Sequence, residues 1–155
     1  MKTKIKINEI VGAKNKMVII VSQFNEDITE GLLKGALKIL QKIGFPKNKI
    51  RVLKVPGAFE LPLAASWVAK KKKVDAIVCL GAVIRGDTAH FDYVCQGVTS
   101  GLGRVQLDYQ IPVAFGVLTV DKKSQALERA SDDEYNKGAE AVVAALKMLQ
   151  LKEMI

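Results

Sequence analysis

Four short apolar runs punctuate the chain, and stretches of helical spacing separate them. Met17-Val-Ile-Ile-Val21 and Ala76-Ile-Val-Cys-Leu80 are continuous, Val113-Ala-Phe-Gly-Val-Leu118 is a third run, and Ile50-Arg-Val-Leu-Lys-Val55 alternates in part. Runs without alternation fit strands covered on both faces, as in a parallel sheet. Between the first two, Ile28, Leu32, Leu33, Ala36, Leu37, Ile39 and Leu40 recur at helical spacing up to Ile43, and Gly44 stops that helix. Pro62 opens a second helix with an apolar stripe of Leu63, Ala64, Trp67 and Val68, closed by Lys70 to Lys73. Lysines in a last turn complement the helix dipole. A third helix is predicted from about Phe91 to Asp108 and a fourth from Lys137 to Leu149. The strict alternation predicts a single α/β domain over residues 1–155, a three-layer α/β/α sandwich around a four-stranded parallel sheet.

Two details of the pattern need an explanation. Gly97, Gly101 and Gly103 fall inside the third helix, where each costs roughly 1 kcal/mol relative to Ala. Close approach by another element would account for them, whether from this chain or from a neighbouring subunit. The amino-terminal Lys4-Ile-Lys-Ile-Asn-Glu-Ile10 reads as an edge strand able to join a neighbour's sheet.

Composition narrows the class. With 49% hydrophobic and 26% charged residues over 155 positions, the chain can bury one sizeable core, which excludes disordered and collagen-like classes. The net charge of +8 is uneven: residues 1–75 hold 16 basic and 6 acidic side chains, the remainder 8 and 10. Such an excess fits either a nucleic-acid partner or a lysine-rich solvated surface, and no basic and aromatic residues interleave as in a single-strand binder. No nucleic-acid partner is therefore expected. The opening ten residues lack an apolar signal core, no apolar run approaches the ~18 residues of a membrane span, and Cys79 and Cys95 sit in apolar stretches. A cytoplasmic protein with no membrane partner is the expectation.

Candidate chemistry gathers after the strands, where an open α/β sheet binds its ligands. Ser22-Gln-Phe-Asn-Glu-Asp27 follows the first strand, Pro56-Gly-Ala-Phe-Glu-Leu-Pro62 the second, and Gly81-Ala-Val-Ile-Arg-Gly-Asp-Thr-Ala-His90 the third. Phe24 and Phe59, placed on loops, can clamp a planar heterocycle, although either ring alone fits a core equally well. Asn25 adds polar contacts, and Glu60 can accept two hydroxyl hydrogen bonds or simply favour a helix amino terminus. Gly86, Asp87 and Thr88 before a helix offer N–H groups and a hydroxyl to an anion, with Arg85 or a distant arginine to complete the site. His90, the single histidine, suits proton transfer at neutral pH. One histidine and two separated cysteines exclude the usual zinc sets, and no phosphate loop, dinucleotide fingerprint or hydrolase elbow is present. The residues describe a site without cofactor or metal, for a planar, hydroxylated and partly anionic ligand.

The same segments resemble the 6,7-dimethyl-8-ribityllumazine synthase family. The likeness is carried by Val21-Ser-Gln-Phe-Asn25, Val55-Pro-Gly-Ala-Phe-Glu-Leu-Pro62, Gly81 to Val94, Pro112-Val-Ala-Phe-Gly-Val-Leu-Thr119, Gln125-Ala-Leu-Glu-Arg-Ala130 and Asn136-Lys-Gly138, in order over nearly the whole chain. The resemblance implies a flavodoxin-like fold and the penultimate step of riboflavin synthesis, in which a ribitylamino-pyrimidinedione condenses with 3,4-dihydroxy-2-butanone 4-phosphate. It implies that Phe24 stacks on the pyrimidine with Asn25 beside it, and that Ala58, Phe59 and Glu60 hold the ribityl chain. Ala82, Val83 and Ile84 would line the ring pocket, closed by Phe115 of a neighbouring subunit. Asp87, Thr88 and Arg129 would bind phosphate with Lys137 as a supporting cation, and His90 would move protons. Self-association into pentamers, decamers or 60-subunit shells is implied as well. The alternatives are an archaeal-type riboflavin synthase and an inactive flavin-binding shell. Two departures stand out: Gln23 where the family commonly has Arg, and Ser131-Asp-Asp-Glu-Tyr135 where it has Gly-Thr-Lys-x-Gly.

Overall fold

The computed structural model describes residues 14–155, so the amino-terminal edge strand expected at residues 4–10 lies outside the described residues. Among the described residues, four strands form one sheet: β1 (Met17–Ser22), β2 (Ile50–Val55), β3 (Ala76–Ile84) and β4 (Val113–Val120), in spatial order β2-β1-β3-β4. Every neighbouring pair is parallel, with Met17 opposite Ile50 and Ala76, and Ile77 opposite Val113. Five α-helices among the same residues connect and follow them: α1 (Glu26–Lys42), α2 (Leu61–Lys70), α3 (His90–Tyr109), α4 (Lys123–Arg129) and α5 (Lys137–Met154).

The alternation of side chains along a strand builds two cores, one per face of the sheet. Met17, Ile19 and Val21 point to one face, where Leu32, Ala36 and Leu40 of α1 and Val142, Ala145 and Leu146 of α5 cover them. Val18 and Ile20 point to the other, against Leu61, Ala65 and Ala69 of α2 and Val98, Leu102 and Val105 of α3. Because both faces are covered, the β1 run could stay continuously apolar, and all six of its residues are buried. The result is the three-layer sandwich that the periodicity predicts.

Two elements differ from the sequence reading. Gly81 does not end β3: the strand runs on to Ile84, because Gly81 to Ile84 pair in register with Val117 to Val120. A short helix, α4, stands where no apolar periodicity announced one. The side chain of Gln125 starts it by accepting hydrogen bonds from the backbone N–H groups of Asp121 (2.9 Å) and Lys122 (3.0 Å). Of the three glycines of α3, two are approached by this chain itself, one of the two readings offered above. A Cβ on Gly97 would lie 2.7 Å from the Phe59 ring and one on Gly101 2.6 Å from Pro62, whereas Gly103 has nothing within 4 Å.

Cys79 lies at the centre of the sheet, fully buried, and loss of solvent pushes its thiol up to about 12. The folded protein should therefore resist alkylation at Cys79 at pH 8, since the thiolate is the nucleophile. Pulsed labelling read by mass spectrometry should find this cysteine modified only after denaturant is added. Rapid labelling of the native protein would show instead that the centre of the sheet opens.

Candidate active site

The carboxyl ends of β1, β2 and β3 bring one set of candidate residues together. The chain leaves β1 and folds against the end of β2, where the N–H groups of Gln23 and Phe24 donate to the carbonyls of Val55 (2.8 Å) and Pro56 (2.9 Å). Asn25 then adopts a left-handed backbone (φ 61°), and its side-chain amide donates to the Ala82 carbonyl at 3.0 Å. That contact ties the β1–α1 turn to β3. Ala58, Phe59 and Glu60 form a single 3-10 turn that runs directly into α2. Ala58 packs down against Gly81, so the turn sits over the third strand. The Phe59 ring lies against Gly97, which joins α3 to the same cluster.

Exposure separates the platform reading of the two rings from the core reading. Phe24 is 72% exposed and Phe59 60%, while Ala58 and Ala82 are buried, one against each face of the sheet. Both rings therefore stand at the surface and not in either core. Glu60 is exposed beside them at the opening of α2. Val83 and Ile84, half-buried at the end of β3, pack on opposite faces of the sheet, Val83 with the α2 and α3 layer and Ile84 with the α1 and α5 layer.

The turn from β3 into α3 carries Asp87, Thr88 and His90, all exposed. The Thr88 hydroxyl accepts a hydrogen bond from the His90 backbone N–H at 3.4 Å, which leaves its own proton free to donate. Arg85 is not available to an anion here, contrary to one sequence expectation. Its Nε donates to Asp121 at 2.8 Å, its Nη1 to Asp92 at 3.3 Å, and its guanidinium lies 4.3 Å from the centre of the Phe91 ring. The bond to Asp121 raises its already high pKa further. Arg85 acts as a clamp joining the ends of β3 and β4 to the start of α3.

A second set lies apart from the first. Phe115, Arg129 and Lys137 line a cavity of about 410 Å³ along the outer strand β4, together with Thr119 and Glu140. Phe115 is 45% exposed, although it sits on a strand, and among the described residues β4 is an outer strand of the sheet. Nη1 of Arg129 donates to the Gln125 carbonyl at 3.0 Å, and Nζ of Lys137 donates to Glu140 at 2.8 Å. None of the first set lines this cavity. One chain thus offers an aromatic platform with a histidine at one place and a cationic, partly aromatic cavity at another.

The family model for 6,7-dimethyl-8-ribityllumazine synthase matches residues 14–153. The chain belongs to this family. A curated relative, the 6,7-dimethyl-8-ribityllumazine synthase of Cytophaga hutchinsonii, is 53% identical over 131 residues, covering 84% of this chain and 82% of that protein.

The stretch Ser131 to Tyr135 carries three acids, Asp132, Asp133 and Glu134, between Arg129 and Lys137, and the geometry shows where two of their charges go. Asp132 turns towards α1, 2.8 Å from Lys38 and 3.6 Å from Lys34. The hydrogen bond from Lys38 holds its carboxyl below the usual carboxylate value. A depressed folded pKa stabilises the tie above the carboxylate range, and the contribution disappears as pH falls through the folded value. Asp133 is engaged locally, accepting from the Ser131 hydroxyl at 2.6 Å and the Tyr135 N–H at 2.8 Å. Two of the three acids are thus engaged by Lys38, Ser131 and Tyr135 and not by Arg129 or Lys137. Among the described residues no cluster of His, Cys, Asp and Glu could hold a metal ion, and no helix is long and apolar enough to cross a membrane.

Proposed function

We infer that this chain makes 6,7-dimethyl-8-ribityllumazine from a ribitylamino-pyrimidinedione and 3,4-dihydroxy-2-butanone 4-phosphate, at sites completed between two copies of itself. The carrying observation is the division of the candidate residues into two separate surfaces. The platform of Phe24, Asn25, Ala58, Phe59, Glu60, Ala82, Val83 and Ile84 suits the pyrimidine and its polyol. The cavity with Phe115, Arg129 and Lys137 suits a ring edge and a phosphate, and a second copy can carry it to the first copy's Asp87, Thr88 and His90. Arg129 and Lys137 supply a fork and a point charge, the pair of donors that phosphate recognition uses.

The chemistry asks little beyond position and protons. The free aromatic amine of the pyrimidinedione attacks the ketone, and loss of water gives an imine. Removal of a proton next to that imine expels inorganic phosphate as the C–O bond breaks, leaving an enol that tautomerises to a ketone. The ribityl-bearing nitrogen closes on this carbonyl, and a second water leaves. No electron changes hands, so an imidazole that accepts and returns protons, with an anchor for the departing phosphate, is sufficient. His90 takes the first role in this reading and Asp87, Thr88, Arg129 and Lys137 the second.

Self-association follows from the same reading. Leu63 and Trp67 stand one helical turn apart on the outer side of α2, 55% and 61% exposed, and large apolar side chains so placed favour burial against a neighbour. A ring of subunits, alone or doubled or closed into a 60-subunit shell, would use that face, and a cytoplasmic location accompanies it. The residues 1–155 then act as one domain. Mixing the purified protein with both substrates should yield the absorbing, fluorescent lumazine faster than the spontaneous reaction. A rate equal to the uncatalysed one would overturn the assignment, and formation of riboflavin instead would favour the synthase of the archaeal type.

A further inference from the structure

We propose that Asn136 is the positioning residue of the phosphate half of the site, setting where Arg129 and Lys137 stand; the inference rests on the reading of those two cations as phosphate ligands. Asn136 is 2% exposed and does not line the cavity, so it acts only through other residues. An amide side chain has two N–H donors and an oxygen with two lone pairs. All four are used. Nδ2 donates to the carbonyls of Gly31 (3.1 Å) and Ser131 (2.9 Å), and Oδ1 accepts from the N–H groups of Gly138 (2.9 Å) and Ala139 (3.1 Å).

Those partners belong to three separate segments. Gly31 lies on α1, Ser131 follows the helix that ends in Arg129, and Gly138 and Ala139 are in the first turn of the helix that begins with Lys137. One side chain therefore fixes the end of α4 and the start of α5 to the same point on α1. The fit leaves no slack, since a Cβ on Gly35 would stand 2.1 Å from Oδ1. A saturated buried network of this kind is rigid, and deleting one member leaves several polar groups without partners. The cations that flank Asn136 in sequence inherit that rigidity, which a bound phosphate needs more than the planar ring does.

Steady-state kinetics on the full chain, with each substrate varied and inorganic phosphate as competitor, test the proposal. Asn136→Ala should raise the KM for the butanone phosphate and the inhibition constant of phosphate by about tenfold, the scale of a small misplacement of binding groups, while the KM for the pyrimidinedione changes by less than about twofold. Asn136→Asp keeps the oxygen that caps α5 but cannot donate to Gly31 or Ser131, and it should fall between the two. Equal rises in both KM values, or unchanged phosphate constants in a folded variant, would overturn the proposal. If the alanine variant fails to fold, Asn136→Asp and Gly35→Ala carry the same comparison. Arg129→Ala is the reference. If it leaves both phosphate constants unchanged, the ligand assignment fails, and a crystal structure of Asn136→Asp then decides the positioning claim separately. Displacement of Arg129 and Lys137 against β4 by about 1 Å would support it, and unmoved side chains would overturn it.

Discussion

Gly138→Ala should destabilise the protein by about 3 kcal/mol, lowering the thermal midpoint by roughly 6–12 °C. Two effects of opposite sign compete at this position. Alanine is the better helix former by about 1 kcal/mol, and Gly138 is the second residue of α5, so propensity alone predicts a gain. Against that, the new Cβ would lie 2.0 Å from the carbonyl oxygen of Leu32, 2.7 Å from its carbon and 2.9 Å from its Cα. These are backbone atoms in the middle of α1, and no rotamer can move them. Relief requires α1 and α5 to part, which loosens Leu32, Ala36, Val142 and Ala145, all core residues of one layer. Parting would also stretch the Asn136 bond to Gly31. The clash therefore wins over propensity. Thermal unfolding followed by circular dichroism checks it, and a midpoint equal to or above that of the parent would mean that the two helices yield freely.

The same position illustrates how much of the molecule the sequence discloses. β1 and the central part of β3 were legible because burial on both faces forces a continuous apolar run, and α1 because one face must match the sheet. The end of β3 was not, since Gly81 looks like a turn residue. Its smallness serves side-chain packing instead: a Cβ there would crowd Ser22, Leu61 and Ala58. α4 was hidden because its seven residues bury only Ala126 and leave no periodic trace. Within the site, the residue types pointed to rings, phosphate and proton transfer, and the structure places Phe24, Asn25, Ala58 and Phe59 on the turns after β1 and β2, with Ala82 inside β3 but tied to Asn25. What spacing could not disclose is that Phe115, Arg129 and Lys137 line a cavity on the edge strand, since that depends on strand order and not on sequence distance. Asn136 was visible only as part of a motif. Its role emerges once three remote segments are seen to meet on its amide.

His90→Ala should lower kcat by about a hundredfold or more, the usual weight of a general acid–base group, with both KM values held within about threefold. The argument rests on what the variant leaves behind. His90 is the chain's single histidine and stands exposed at the first position of α3, so truncating it removes no core contact. Its backbone N–H, which donates to Thr88, survives the substitution, and the Arg85 clamp on Asp92 and Asp121 still holds the turn. Phe24 and Phe59 remain as the stacking platform, so the substrates should bind as before. What disappears is the group that the proposed function assigns to removing the proton as phosphate departs and returning it during ring closure. Added imidazole should restore part of the rate by occupying the vacated space. The experiment also separates an enzyme from a shell that merely binds flavins, because a binder has no rate to lose and nothing for imidazole to restore. A rise in KM with kcat intact would reassign His90 to binding. An unchanged rate would move proton transfer to another group or to water, leaving positioning on the two surfaces to account for catalysis.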